Sequence, residues 1–157
     1  MYRNVNDFVK DWTRASEGTI KVLESLTDDK LGQSIVEGHS TLGWLGWHIA
    51  TAPIYFASLV GVNLGISTDP SDIPSKASTI LDTYKEVTKK FKQEVENNFT
   101  DEQLLEEVDQ HGTLAPRGEI LRTLIDHQTH HRGQMTVLLR QAGLPVPGIM
   151  GPTQEQN

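Results

Sequence analysis

Cysteine is absent from all 157 residues, which excludes disulfides, thiolate metal sites and a cysteine nucleophile together. That absence fits a reducing compartment, and a cytoplasmic location is the expectation. The first residues, Met1-Tyr2-Arg3-Asn4-Val5-Asn6-Asp7, lack the basic-then-apolar layout of a signal peptide. No uncharged apolar run approaches the ~20 residues that span a bilayer. The longest uncharged stretch, Ser40 to Thr68, contains His48 and Pro53, is broken by glycines, and reads as a buried helix with its exit loop. Basic residues are outnumbered 14 to 21, for a net charge of −7, and they form no cluster. Nucleic acid and anionic membranes are therefore not expected partners. Missing motifs narrow the chemistry further. Without a Glu-x-x-His pair a ferritin-like di-iron site is not expected. His-Glu-x-x-His, Cys-x-x-Cys-His and a Gly-rich phosphate loop are also absent, which removes common zinc-protease, covalent-haem and nucleotide signatures.

Helical periodicity is what the sequence does have. A chain of this length is most simply one domain, 1–157, able to bury a core without covalent staples. Val5, Phe8, Trp12, Ala15, Thr19, Val22 and Leu26 alternate by three and four, predicting a first helix over about 5–26. Thr27-Asp28-Asp29 reads as a break or the cap of a short turn. A second helix is expected over about 41–60, with Ser40 as a possible N-cap and Gly61 past its end. Residues 65–74 read as loop by composition. The third helix, about 76–97, turns Ile80, Tyr84, Val87, Phe91 and Val95 inward. Thr100-Asp101-Glu102-Gln103 looks like a capping sequence for a short helical turn. Pro116 suits the first position of a fourth helix over about 116–141, ended by Gly143. Strand-like alternation is confined to the region of Gly32 to Val36. An all-α, antiparallel four-helix bundle is the architecture expected.

The histidines carry the functional argument. At about 100° per residue, with His127 at zero, Ile120, Leu121, Leu124, Met135, Leu138 and Leu139 fall between about 20° and about 120°. His131 lies inside that stripe at about 40°, His127 on its edge, and His130 off it at about 300°. Two imidazoles one helical turn apart thus look into the bundle, an arrangement suited to one metal ion. On the second helix, Thr41, Trp44, Leu45, Ala52, Tyr55 and Leu59 lie within about 60° of His48, so it too sits on an inward face. Pro53 cannot donate to the carbonyl of Ile49, and a kink just after His48 is expected.

Each feature has a plainer reading. A lone inward histidine is more often a satisfied core residue, and the His127/His131 pair alone is evenly balanced. Three inward imidazoles in a small core, however, need partners, and a divalent ion supplies them with a coordination position left open. His39 and His111 fall in loops, and His130 reads as a surface residue. Trp44, Trp47, Tyr55 and Phe56 read as core or interface packing. Gln128 at about 100° and Gln134 at about 340° are polar groups on or near the core face. Either is a candidate to hydrogen-bond a ligand or a metal-bound histidine. Arg132, on the shoulder of the stripe, could meet a carboxylate of substrate or thiol, with a structural ion pair weighed ahead of that. Gly133 reads as a point of close helix packing.

The stretch Asp126-His127-Gln128-Thr129-His130-His131-Arg132-Gly133-Gln134, followed by Leu139-Arg140-Gln141-Ala142-Gly143-Leu144-Pro145, resembles the signature of the DinB/YfiT-like family. Gly43-Trp44-Leu45-Gly46-Trp47-His48-Ile49-Ala50 is similar to the family's second-helix element. The resemblance covers essentially the whole chain. It implies a four-helix bundle, often a homodimer, with His48, His127 and His131 on nickel, zinc or a related ion. Characterised members include S-transferases that use bacillithiol or a similar low-molecular-weight thiol, and a mycothiol-dependent isomerase. Three imidazoles also suit iron and copper. The expected function is accordingly a metal-dependent transfer of a low-molecular-weight thiol to a small-molecule substrate, with Tyr55, Gln128, Arg132 and Gln134 as candidate substrate or supporting contacts. A metal-dependent hydrolase and a non-catalytic metal- or ligand-binding stress protein are the alternatives, with haem a distant third. No general base stands out in the sequence.

Overall fold

Asn4 starts the first helix, α1 (Val5–Glu24), by accepting a hydrogen bond from the backbone N–H of Asp7 at 3.2 Å. In this computed structural model, which describes residues 1–156, α2 spans Leu42–Leu59, α3 Ala77–Asn98 and α4 Arg117–Gln141. Two ends differ from the periodicity by more than fraying. α1 stops at Glu24 rather than near Leu26, because Ser25 caps it and a 3₁₀ turn over Asp28–Lys30 follows. Thr41, not Ser40, caps α2, its Oγ1 accepting from the N–H of Trp44 at 3.1 Å. Past the other end of α2, Gly61 takes a positive φ of 85°. The helix continues through Pro53 without interruption.

Thr100 and Gln103 form the expected reciprocal cap: Thr100 Oγ1 accepts from the N–H of Gln103, and Gln103 Oε1 accepts from the N–H of Thr100 at 2.9 Å. What the periodicity did not anticipate is a hairpin, β1 (Glu107–Gln110) paired antiparallel with β2 (Thr113–Pro116). Its two-residue turn is His111-Gly112, with φ of 55° and 85°, the conformation that twists a tight hairpin correctly. Pro116 ends β2 and caps α4 instead of opening it. In the Gly32–Val36 region only a single bridge, Ser34 to Thr41, forms.

α1 and α2 each pack against both α3 and α4. Side-chain partners give the directions. On the α1/α3 seam Phe8 and Trp12 meet Phe91 while Glu24 reaches Lys85, so these helices run oppositely. On the α2/α4 seam Trp44 faces His131 and Phe56 faces His127, again antiparallel. α1 and α4 run the same way, since Tyr2 binds the carbonyl of Gly118 and Ala15 binds Arg132. Two apolar clusters fill the interior, one holding Phe8, Trp12, Phe56, Phe91 and Leu121, the other Leu23, Leu45, Ile49, Ile80, Tyr84 and Met135. No helix is long and apolar enough to cross a membrane among the described residues.

Two glycines of α4 have opposite surroundings. A Cβ on Gly118 would lie 1.9 Å from the carbonyl oxygen of Tyr2, whose chain must approach that closely to anchor the N-terminus. A Cβ on Gly133 would meet nothing within 4 Å, so this glycine does not serve close helix packing as its place in the sequence had implied. Gly118→Ala is expected to destabilise by about 1–3 kcal/mol or more through overpacking. Gly133→Ala should instead stabilise by about 1 kcal/mol on helix propensity. Thermal denaturation of the two variants reads both signs, and equal shifts would contradict this assignment.

Candidate metal centre

His48 on α2 and His127 and His131 on α4 meet across the antiparallel seam. One ring nitrogen from each lies within 4.8 Å of the others, and among the described residues no carboxylate joins the group. The ring centroids stand 4.8 Å (His48–His127), 4.6 Å (His48–His131) and 4.5 Å (His127–His131) apart. The i, i+4 spacing on α4 stacks two rings on one face, and the opposed direction of α2 brings the third between them.

The closest pair is His48 Nε2 and His127 Nε2, at 3.0 Å. Without a proton on either atom, two lone pairs would oppose each other, so the contact requires a shared proton or a cation. Three imidazole nitrogens gathered within 4.8 Å are the donor type that zinc and related ions take, so the donor set fits a divalent metal. Gln134 Oε1 lies 2.8 Å from His131 Nδ1. The amide oxygen can only accept, so Nδ1 carries the hydrogen and His131 Nε2 keeps its lone pair. Gln134, a candidate for its position near the stripe, thus lies against His131.

Other expectations are corrected. The three imidazoles are half-buried at a seam rather than sealed in the core, and Trp44 and Tyr55 beside them are 38% and 46% exposed. A helical wheel identifies the sector but not whether a neighbouring helix covers all of it. Trp44 stacks on His48 at 4.8 Å with an 11° interplanar angle, so it is a wall of the site rather than core packing. Phe56 lies 5.5 Å from His127. Gln128 turns away: it is 2% exposed, and its Oε1 accepts from Tyr84 Oη at 2.6 Å between α3 and α4. Arg132 also points elsewhere, donating from Nη1 to the carbonyl of Ala15 at 2.8 Å on α1, with no ion pair among the described residues. Its position in the stripe reported depth but not which neighbouring helix it meets.

Tyr55 acquires a partner that the sequence did not reveal, because it comes from the unanticipated hairpin. Its Oη stands 2.5 Å from His111 Nε2, the rings stacked with a 14° interplanar angle. Of the remaining histidines, His130 is exposed with its ring 4.9 Å from His131. His39 lines a cleft of about 210 Å³ together with Ile35, Leu45, Gln134, Val137 and Leu138. That cleft shares Gln134 with the metal centre.

Comparison with known proteins now adds to this geometry. The profile described as the DinB family matches residues 1–157. The chain belongs to the DinB family. It is 39% identical over 156 residues to the uncharacterized protein YrdA of Bacillus subtilis (strain 168), covering 99% of this chain and 93% of that one. A DinB-like protein from Bacillus cereus ATCC 10987 superposes with a TM-score of 0.91 at 44% identity, over 95% of this chain and 99% of the other. The DinB-like protein YjoA of Bacillus subtilis, at 20% identity, shares the fold with a TM-score of 0.73, over 93% of this chain and 99% of that one. The DinB bundle is thus established, while its chemistry has to be argued from the site.

Burial, followed by the charges of His131, His48 and His130, pushes the His127 pKa down from the ordinary 6.5 to about 4. Burial and then His131 lower that of His48. Both rings are therefore held neutral in the folded state. On acidification the unfolded chain takes up protons first, near pH of about 6.5. The stability these rings contribute is complete above about pH 7 and drains away as pH falls from about 6.5 to about 4. Denaturation midpoints of chelator-treated protein should decline across that window, and less steeply in His127→Gln. A decline of equal slope in both proteins would contradict the assignment.

Proposed function

We propose that this DinB protein holds one divalent ion, nickel or zinc, on His48, His127 and His131, and uses it to transfer a low-molecular-weight thiol to an electrophilic small molecule. The convergence of three imidazole nitrogens within 4.8 Å carries this reading. Three nitrogen ligands leave a coordination position for a reactant, the pattern of catalytic rather than structural sites. An ion bound there would favour the thiolate form of a thiol, or lower the pKa of a water.

The chain's own side chains supply the rest. Gln134 fixes the tautomer of His131, and Trp44 screens one side of His48 from water. The cleft walled by Ile35, Leu45, Val137 and Leu138 adjoins Gln134 and gives an apolar electrophile a place to lie. Tyr55 sits on the same helix as His48, seven residues on, and His111 reaches it from the turn of the hairpin. The tyrosine hydroxyl and the His111 imidazole form one hydrogen-bonded pair, which this reading makes the candidate to take up the proton released when the thiol ionises. The thiol sulfur then forms a bond to the electrophilic carbon as the leaving group departs with its electron pair.

Elemental analysis tests the foundation. About one ion per chain is expected, lost in His48→Ala, His127→Ala and His131→Ala with the helical signal intact. Conjugation of a thiol to 1-chloro-2,4-dinitrobenzene should then fall to background on chelation and in His131→Ala. No metal even after reconstitution would reduce these histidines to packing residues. Metal without turnover against a panel of thiols and acceptors would leave a binding protein, its thermal stability tracking metal occupancy. Ester cleavage without any thiol would favour the hydrolase reading instead.

A further inference from the structure

Arg132 raises a separate question, because its charge is buried and unneutralised. The residue is 5% exposed, yet its head meets no carboxylate among the described residues. Guanidinium does not shed its proton in proteins, and a buried charge without a counter-charge is costly. Nη1 is spent on the carbonyl of Ala15 at 2.8 Å and on Thr19 Oγ1 at 3.4 Å. Nε and Nη2 have no protein acceptor among the described residues, and neither is among the sealed, partnerless atoms of the interior. Arg132 lines two clefts, of about 430 Å³ and about 270 Å³, and shares Thr129, Ile149 and Met150 between them.

The surroundings make room for an occupant. At Gly18 a Cβ would stand 2.7 Å from Ile149 Cγ2 and 3.2 Å from Arg132 Nη1, so only glycine lets the arginine head and the tail sit where they do. The tail that roofs the clefts is pinned by buried Val146 and by the fork of Arg140 on Glu155, at 2.6 and 3.2 Å. On the rim, Arg122 is committed to Asp126 at 2.6 Å, and Asp11 accepts from Tyr2 at 2.8 Å. Arg14 and Arg132 are thus left over as positive charge in a chain of net charge −7.

We propose that Arg132 is the anchor of a second binding site, which takes the carboxylate of a small organic acid whose apolar body lies under Ile149 and Met150. The free edge of a guanidinium presents two parallel N–H groups that match a carboxylate. A single negative charge suits the pocket better than phosphate, because Asp11, Asp126 and Glu155 stand near its rim. The site is distinct from the metal centre: Arg132 reaches α1, whereas the histidines face α2 on another side of α4.

Isothermal titration of the intact protein with benzoate, benzyl alcohol and inorganic phosphate at constant ionic strength tests this. Benzoate should bind saturably and shift the Arg132 Nε–H resonance, with benzyl alcohol and phosphate about tenfold weaker or worse. Arg132→Gln should abolish benzoate binding. Gly133→Glu, which adds a like charge at an open, exposed mouth without touching the core, should weaken it about tenfold even if Arg132→Gln fails to fold. His48→Ala should bind benzoate as the parent does, which separates this outcome from the fate of the metal reading. Benzoate binding unmoved by Gly133→Glu, an alcohol or phosphate that binds equally well, or no saturable binding at all would overturn the proposal.

Discussion

The rotation of α4 about its own axis is the constraint on which the rest of the structure depends. That helix carries two of the three clustered histidines and the unneutralised arginine, and a turn of one residue position, about 100°, would misplace all of them. Apolar side chains alone hold such a rotation loosely, since ridges and grooves repeat along a helix. Directional bonds hold it better. Tyr84 Oη donates to Gln128 on one side, and Arg132 donates to the carbonyl of Ala15 on another. With α4 tied to α3 and α1, its remaining inward sector faces α2, and His127 and His131 are delivered to His48.

The half-buried setting of the three imidazoles follows from that placement and suits their chemistry. Deep burial would leave ring nitrogens to find hydrogen-bond partners in an apolar interior, whereas full exposure would let each ring take up a proton near neutrality. At the seam burial holds His48 and His127 neutral, and repulsion by neighbouring histidines adds to that effect. Neutral imidazoles in contact across 3.0 Å can share one proton between their facing nitrogens, or present both lone pairs to a cation.

Much of this was legible in the sequence, and what was not has identifiable physical causes. Four helices followed from the spacing of apolar residues, because a 3.6-residue period is a property of one segment and needs no neighbour. The same holds for the histidine faces. The hairpin escaped because its strands, Glu107–Gln110 and Thr113–Pro116, are largely polar and its turn is His-Gly rather than the commoner Asn-Gly. With the hairpin went His111, and hence the partner of Tyr55. Gln128 and Arg132 were placed at the right depth but assigned to the wrong surroundings. A wheel gives an angle on its own helix, whereas their partners are set by the packing of α1 and α3 around α4, which no single segment encodes.

The polar layer at the waist of the bundle bears on why such residues are present at all. Thr19, Tyr84, Thr88, Gln128 and Arg132 are all buried, and Gln128 Nε2 and Thr88 Oγ1 have no hydrogen-bond partner among the described residues. Each unsatisfied group costs about 1–3 kcal/mol, so the layer does not owe its existence to stability. An apolar waist of the same volume would pack at lower cost, but it would remove the directional bonds that index α4 against α1 and α3. Stability is exchanged here for position: the bundle tolerates imperfect hydrogen bonding at its centre, and in return one face of α4 meets His48 while another holds a buried charge against α1.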